Sequence, residues 1–422
     1  MRHAPNGGAL PPTNLLLAAA TMTAMPSSSR IPGVRLLHSP GPTHVPDAVV
    51  HAMSRQPTDL ADPRLGELIA ACESGVQELL GTTTAEVFFY AANGHGGWEA
   101  VIANLVAPGV PVLVPGTGHF SDSWAEQVVA CGGVALRTPY REGHPIDPAT
   151  VEAALRDDRE HRIAAVFVVH TDTASGTTSE LAAIRRAIDA ARHPALFVVD
   201  VVASLAASPF AMDALGADVA IAASQKGLMV HPGLAIVAAN ARALAAAAAN
   251  QVPRFYWDWQ RRRSEFSYRK FCGTPPLALI AGLDAALGLI AAEGLAAVHA
   301  RHARLAAAVH AAVARWSEGG AVGFFTKVPA ARSVSVTAIE VGAGIDPEEL
   351  RAVTRQRFQV AIAGGLGPLH GRVFRIGHLG DVNEAMVLGA LAGVEAGMLA
   401  LGIAFGHGGV DAAIAALAGG DR

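Results

Sequence analysis

Lysine is almost absent from this chain. It occurs only at Lys226, Lys270 and Lys327, and arginine makes up the rest of the 32 basic residues. An amine can lose its proton and serve as a nucleophile or base, which a guanidinium does not do. The positions of so few lysines therefore carry information. Cysteine is as scarce, with Cys72, Cys131 and Cys272 far apart. Three scattered thiols exclude a disulfide framework and show no zinc-type spacing, and they fit a reducing, cytoplasmic setting. Charge is sparse too: 16% of residues are charged and the net charge is −4. That balance lacks the basic face of a nucleic-acid binder. Long hydrophobic runs are missing. The stretch "ALAAAAA" at 243–249 is too short and too alanine-rich to span a bilayer, so no membrane partner is expected.

What is present is 422 residues at 51% hydrophobic content, enough for a large core and two or three structural units. Residues 1–30, rich in Pro, Ala, Ser and Thr, read as a disordered extension or as the product of an early start codon, with Met25 as the alternative start. From about residue 60, helix-like stretches alternate with short β-rich runs at 86–94, 110–118, 133–140, 162–172, 194–202, 217–226 and 233–240. These runs are near-continuously apolar rather than alternating, as in strands covered on both faces of a mostly parallel sheet. After Pro276 a helical stretch reaches Trp316, with a break expected at Glu293-Gly294. Its stripe Leu295, Val298, His302, Leu305, Val309, Val313 and Trp316 faces a core. Runs at 333–341, 358–365 and 372–380, with a helix from "DPEEL" between the first two, predict a smaller α+β unit. The expected organisation is an arm and large α/β domain over 31–290, and a small C-terminal domain over 291–422.

In parallel sheets ligands bind beyond the carboxyl ends of strands. "NGHGGWEA" (93–100) follows one such end and precedes a helix. Gly94, Gly96 and Gly97 permit close backbone approach, and the helix N-terminus favours an anion; the same glycines would equally serve a plain tight turn. The spacing does not match a dinucleotide fingerprint. Asp200 ends "ALFVVD", where a carboxylate is costly unless paired. Lys226 ends the next run, where partial burial would lower its pKa. A lysine amine, a carboxylate and an anion loop at strand ends are the three parts that pyridoxal phosphate chemistry needs.

The chain resembles the class V, fold type I pyridoxal phosphate aminotransferases, and within them the serine–glyoxylate and alanine–glyoxylate group. The resemblance runs from "SPGPTHVPDAVVHAM" (39–53) nearly to the C-terminus. It rests on "NGHGGWEA", "VVHTDTASG", "VVDVVAS", "SQKGLMVHPGL" and "FRIGHLGDVNEAMVLGALAGVEAGM". It implies a ping-pong transaminase with a Schiff base on Lys226, moving the amino group of serine or alanine to glyoxylate or pyruvate. By the same resemblance Asp200 partners the pyridine nitrogen. Asn93, Gly94 and His95 form the phosphate loop, Gln225 is a phosphate ligand, Phe120 stacks on the ring and Thr173 places a hydroxyl near the phenolic oxygen. Thr274 reaches the phosphate of a neighbouring subunit's cofactor, which implies a homodimer with shared sites. Arg375 grips the substrate carboxylate, a task suited to a planar fork.

The chain also departs from the family pattern. Asp172 stands where relatives carry Glu, "FCGTPP" has Phe271 where a tyrosine is common, and "LMVHPG" replaces a proline-rich sequence after the lysine. Pyridoxamine–pyruvate transamination and a class V lyase or desulfurase are the alternatives within the fold. The desulfurase pattern has histidine before the lysine, where this chain has Gln225. A nucleotide-dependent oxidoreductase or a non-catalytic binding protein would leave the pairing of Lys226 with Asp200 unexplained.

Overall fold

A computed structural model describes residues 33–419. The expected extension over residues 1–30 lies outside them. From Arg35 onward the chain forms one compact unit. Among the described residues the strands run β1 (Leu36–His38), β2 (Glu86–Tyr90), β3 (Pro111–Val114), β4 (Val134–Arg137), β5 (Ala165–Val169), β6 (Thr171–Asp172) and β7 (Thr177–Thr178). They continue with β8 (Leu196–Asp200), β9 (Val219–Ala223), β10 (Ala235–Ala239), β11 (Val322–Phe324), β12 (Val336–Val341), β13 (Val360–Gly364) and β14 (Val373–Gly377).

The near-continuous apolar runs form one seven-stranded sheet, in the order β2-β10-β9-β8-β5-β3-β4. Strands β5, β8, β9 and β10 are buried at every position, because helices cover both faces and no position points to water. Only β10 runs antiparallel, against β2 on one side and β9 on the other. The sheet is therefore mixed but mostly parallel, the fold class expected. One consequence matters for chemistry. β2, β8 and β9 point the same way, so Asn93, Asp200 and Lys226, each just at or past a strand end, emerge on one edge.

The second sheet has the order β1-β13-β14-β12-β11. Four of its strands come from the C-terminal third: β12, β13 and β14 fall in the predicted runs at 333–341, 358–365 and 372–380, and β11 lies before them without a predicted run. The fifth, β1, comes from the start of the described chain and pairs parallel with β13, Leu36 beside Val360. The helical stretch after Pro276 divides where glycine predicts, into Leu277–Glu293 and Leu295–Ser317, with 84° between the two. Gly294 adopts φ +85° at the junction, a left-handed conformation that costs a glycine little. Along the second helix the predicted stripe is buried from Val298 to Trp316, and Leu295 is half-buried. No single described helix is long and apolar enough to cross a membrane.

Candidate active site

The helix Gly94–Leu105 begins at Asn93, whose side chain accepts a bond from Gly96 N at 3.3 Å. Its first N–H groups have no carbonyl one turn earlier to bond, so they are available to an anion. One turn into this helix Trp98 is buried. Its indole N–H donates to Asp200 Oδ2 at 2.7 Å, while Val202 N donates to Oδ1 at 2.6 Å. Burial nonetheless pushes the Asp200 carboxyl up to about 6; those two bonds and the positive charge of Lys226 act against the rise. At neutral pH Asp200 is a carboxylate with both oxygens already oriented.

Lys226 follows β9 and is held from the other side by the N-terminal segment. Its Nζ donates to Pro40 O at 2.7 Å, Thr43 Oγ1 donates to Lys226 O at 3.1 Å, and Thr43 N donates to Gln225 O at 3.2 Å. A Cβ added at Gly41 would lie 2.5 Å from Lys226 Cε. The glycine is thus required by the close approach of this side chain. Burial lowers the Lys226 amine to about 8, helped by the positive charge of Arg375 and opposed by Asp200 and Asp172. A substantial fraction of neutral amine near pH 8 is what a base or nucleophile needs.

Eight of the ten residues singled out in the sequence line one cavity of about 270 Å³: Asn93, Gly94, His95, Phe120, Thr173, Asp200, Gln225 and Lys226. Arg375 and Thr274 are not among its lining residues. Arg375 stands behind Thr173, donating from Nη1 to Thr173 O at 2.8 Å and from Nε to Gly364 O at 2.7 Å. It lines a second cavity of about 370 Å³. Thr274 is exposed. Of the histidines left without roles by sequence reading, His170 is buried with Nδ1 2.8 Å from Ser204 Oγ. His378 lies between Thr337 Oγ1 and Val334 O at 2.9 Å each, and His231 is exposed.

Two residues gain importance from the structure. Trp98 is the first, and only its place in "NGHGGWEA", one helical turn past Gly94 and so on the same face, could have marked it. Asp172 is the second. It is fully buried and accepts from Phe120 N (2.9 Å), Ala174 N (2.8 Å) and Ser175 N (3.0 Å). It thereby ties the turn carrying Thr173 to the start of the helix carrying Phe120. The carboxylate packs close to Gly118, where an added Cβ would fall 2.7 Å from Asp172 Oδ2.

The residues present fit pyridoxal phosphate. The Gln225 Oε1 atom is buried with no partner, a condition relieved by a ligand donor or by a turned amide that presents its N–H groups to a phosphate. The helix N-terminus offers N–H donors to a phosphate, and the Asp200 carboxylate and the Lys226 amine line the same cavity. Removing the indole bond should be felt by any such ligand. Trp98→Phe keeps the ring stacked on Trp124 (centroids 5.1 Å apart) but frees Asp200 Oδ2. The expected result is cofactor binding weakened about tenfold, the scale of one hydrogen bond to a charged group. Equilibrium dialysis of both proteins measures it, and an unchanged dissociation constant refutes it.

Comparison with known proteins follows this geometry. Residues 35–370 match the family model Aminotransferase class-V. The chain is 39% identical to an L-aspartate–glyoxylate aminotransferase of Paracoccus denitrificans, over 86% of this chain and 91% of that protein. It is 38% identical to a serine–glyoxylate aminotransferase of Methylorubrum extorquens, over 89% and 94% respectively. Among solved structures, the pyridoxamine–pyruvate aminotransferase of Mesorhizobium loti superposes with a TM-score of 0.84 at 27% identity, covering 92% of this chain and 99% of that one.

Proposed function

The chain belongs to the class V aminotransferases, and from that membership we propose a ping-pong transaminase that moves the amino group of a small amino acid, serine or alanine, to glyoxylate. The observation that carries this reading is the meeting of Lys226 and Asp200 at neighbouring strand ends, in one cavity that opens on a helix N-terminus. Glyoxylate is the acceptor in the names of both curated relatives.

Pyridoxal phosphate would be held covalently through the Lys226 amine, with its phosphate at Gly94, His95 and Gln225 and its ring between Phe120 and Val202. When bound, it supplies an electron sink for the pair left behind as the α-proton departs. The chain's residues do the rest. Arg375, fixed by two backbone carbonyls, presents its remaining N–H groups to the substrate carboxylate. Freed from the cofactor, the Lys226 amine would take the α-proton and deliver it to the cofactor carbon on the far side of the shared nitrogen, which its lowered pKa permits near neutral pH. The Asp200 carboxylate holds the proton on the ring nitrogen. Thr274 would complete the phosphate site of a second subunit in a homodimer.

The test is direct. Protein purified with pyridoxal phosphate should carry a near-visible absorption band. That band should bleach on addition of serine or alanine alone and return on addition of glyoxylate alone. Protein that takes up no pyridoxal phosphate, or that bleaches with no amino donor, overturns the reading. Bleaching by pyridoxamine, with recovery by pyruvate, would move the assignment to the pyridoxamine–pyruvate alternative.

A further inference from the structure

Successive side chains along a strand point to opposite faces. At the end of β5, Val169 and Thr171 line the Lys226 cavity, while His170 between them lines a separate groove of about 870 Å³. The two share no lining residue. Apolar side chains make most of the groove's walls, among them Leu181, Phe210, Leu215, Val328 and Ala331. One end is polar. His170 is 7% exposed. Its Nδ1 lies 2.8 Å from Ser204 Oγ, and its Nε2 makes no hydrogen bond among the described residues. With the Ser204 hydroxyl proton directed at Nδ1, Nε2 carries the ring proton and is a donor with no acceptor.

More donors converge beside this ring. His170 O accepts from Ser179 N at 2.9 Å, which sets Ser179 next to the histidine. The buried Ser179 hydroxyl accepts from Ile146 N at 3.1 Å and has its own proton left to give. Two residues on, the eleven-residue helix Leu181–Ala191 begins with no side-chain cap. The N–H groups of Leu181, Ala182 and Ala183 find no acceptor among the described residues, and Leu181 and Ala182 belong to the groove wall. Such a helix end favours a negative charge.

Charge decides which anion. No lysine or arginine lines the groove. Glu180, its only carboxylate, is exposed and pairs with Arg186 at 3.3 Å. A dianionic phosphate would meet no full positive charge here, whereas the partial charge of a helix end suits a single carboxylate. An apolar body on that carboxylate would cover walls that otherwise face water. We propose that this groove binds an apolar monocarboxylate, with its head accepting from His170 Nε2, Ser179 Oγ and the helix N–H groups, and its body along Leu181, Phe210 and Leu215. The site lies apart from the Lys226 cavity and takes no part in bond making there.

The probe is octanoate, titrated into the full-length protein by ligand-observed NMR, with octanol as the tail without the charge and acetate as the head without the tail. Octanoate should bind with a Kd below about 1 mM, and octanol and acetate each at least about tenfold more weakly. Saturating serine should leave octanoate binding unchanged. Ala182→Glu, at an exposed position where the helix end welcomes an acid, should weaken octanoate at least about tenfold and leave pyridoxal phosphate binding native. Ala182→Lys, similar in length and opposite in charge, should retain octanoate. His170→Asn keeps a partner for Ser204 but removes the Nε2 donor, and should weaken octanoate about tenfold. Absence of octanoate binding overturns the proposal, and so does octanol binding as tightly. Displacement of octanoate by serine would place it on the Arg375 site and overturns it too, as do equal affinities in Ala182→Glu and Ala182→Lys.

Discussion

Lys226→Ala protein is expected to lose at least about 10²- to 10⁴-fold in kcat, the contribution of one positioned acid–base group. It should also lose covalent retention of pyridoxal phosphate. The fold should survive. Lys226 is partly buried, and among the described residues its only side-chain bond is to Pro40 O; truncation there removes a desolvated amine rather than a packed core group. The two losses are separable. Small primary amines added to the medium should restore part of the proton transfer, because Gly41 and Pro42 leave only the space the lysine side chain had filled. Arg at 226 should not rescue at all, since a guanidinium stays protonated. Single-turnover bleaching with serine, followed with and without ethylamine, measures both effects. A Lys226→Ala protein that bleaches with each donor at the native rate would remove the lysine from the mechanism.

The large sheet and the core of this site were legible in the sequence for the same physical reason. Strands buried on both faces must be apolar throughout, so the polar residue that ends each run stands out. Asp200 and Lys226 announce themselves this way, and parallel order places consecutive strand ends side by side. The antiparallel insertion of β10 between β2 and β9 had no such mark, because direction leaves no trace in an apolar run. Strand β1 is three residues long and its partner lies more than three hundred residues away, beyond the reach of any local pattern. The residues that act through others were hidden for a related reason. Trp98 bonds Asp200 across 102 positions.

Acid is expected to unfold the protein steeply below pH 6.5, and buried histidines are the cause. Burial holds His170 and His302 down to about 4, against the ordinary 6.5. His310 is lowered likewise to about 4, and His38 and His378 move in the same direction. Their neighbours favour the neutral ring. His302 Nε2 accepts from Gly380 N at 3.0 Å, and a proton there would destroy the bond. In each case the native ring refuses a proton that the unfolded chain accepts once pH drops below 6.5. Stability is therefore complete above pH 6.5 and is lost as pH falls toward 4, by roughly 3 kcal/mol each for His170 and His302. Asp200 works the other way. Its folded value of about 6 lies above the usual 3.8, so between those pH values the native state keeps a proton that the unfolded chain releases, which offsets about one histidine; the raised Asp172 adds in the same sense. Five histidines outnumber two carboxylates, so net proton uptake on unfolding survives, at about 1.4 kcal/mol per pH unit for each proton. Urea midpoints at pH 7.5, 6 and 5 should fall in step. His302→Gln, whose amide oxygen can still accept from Gly380 N, should flatten that fall by about one proton. A urea midpoint that is level from pH 7.5 to pH 5 would show that these rings are not held neutral by the fold.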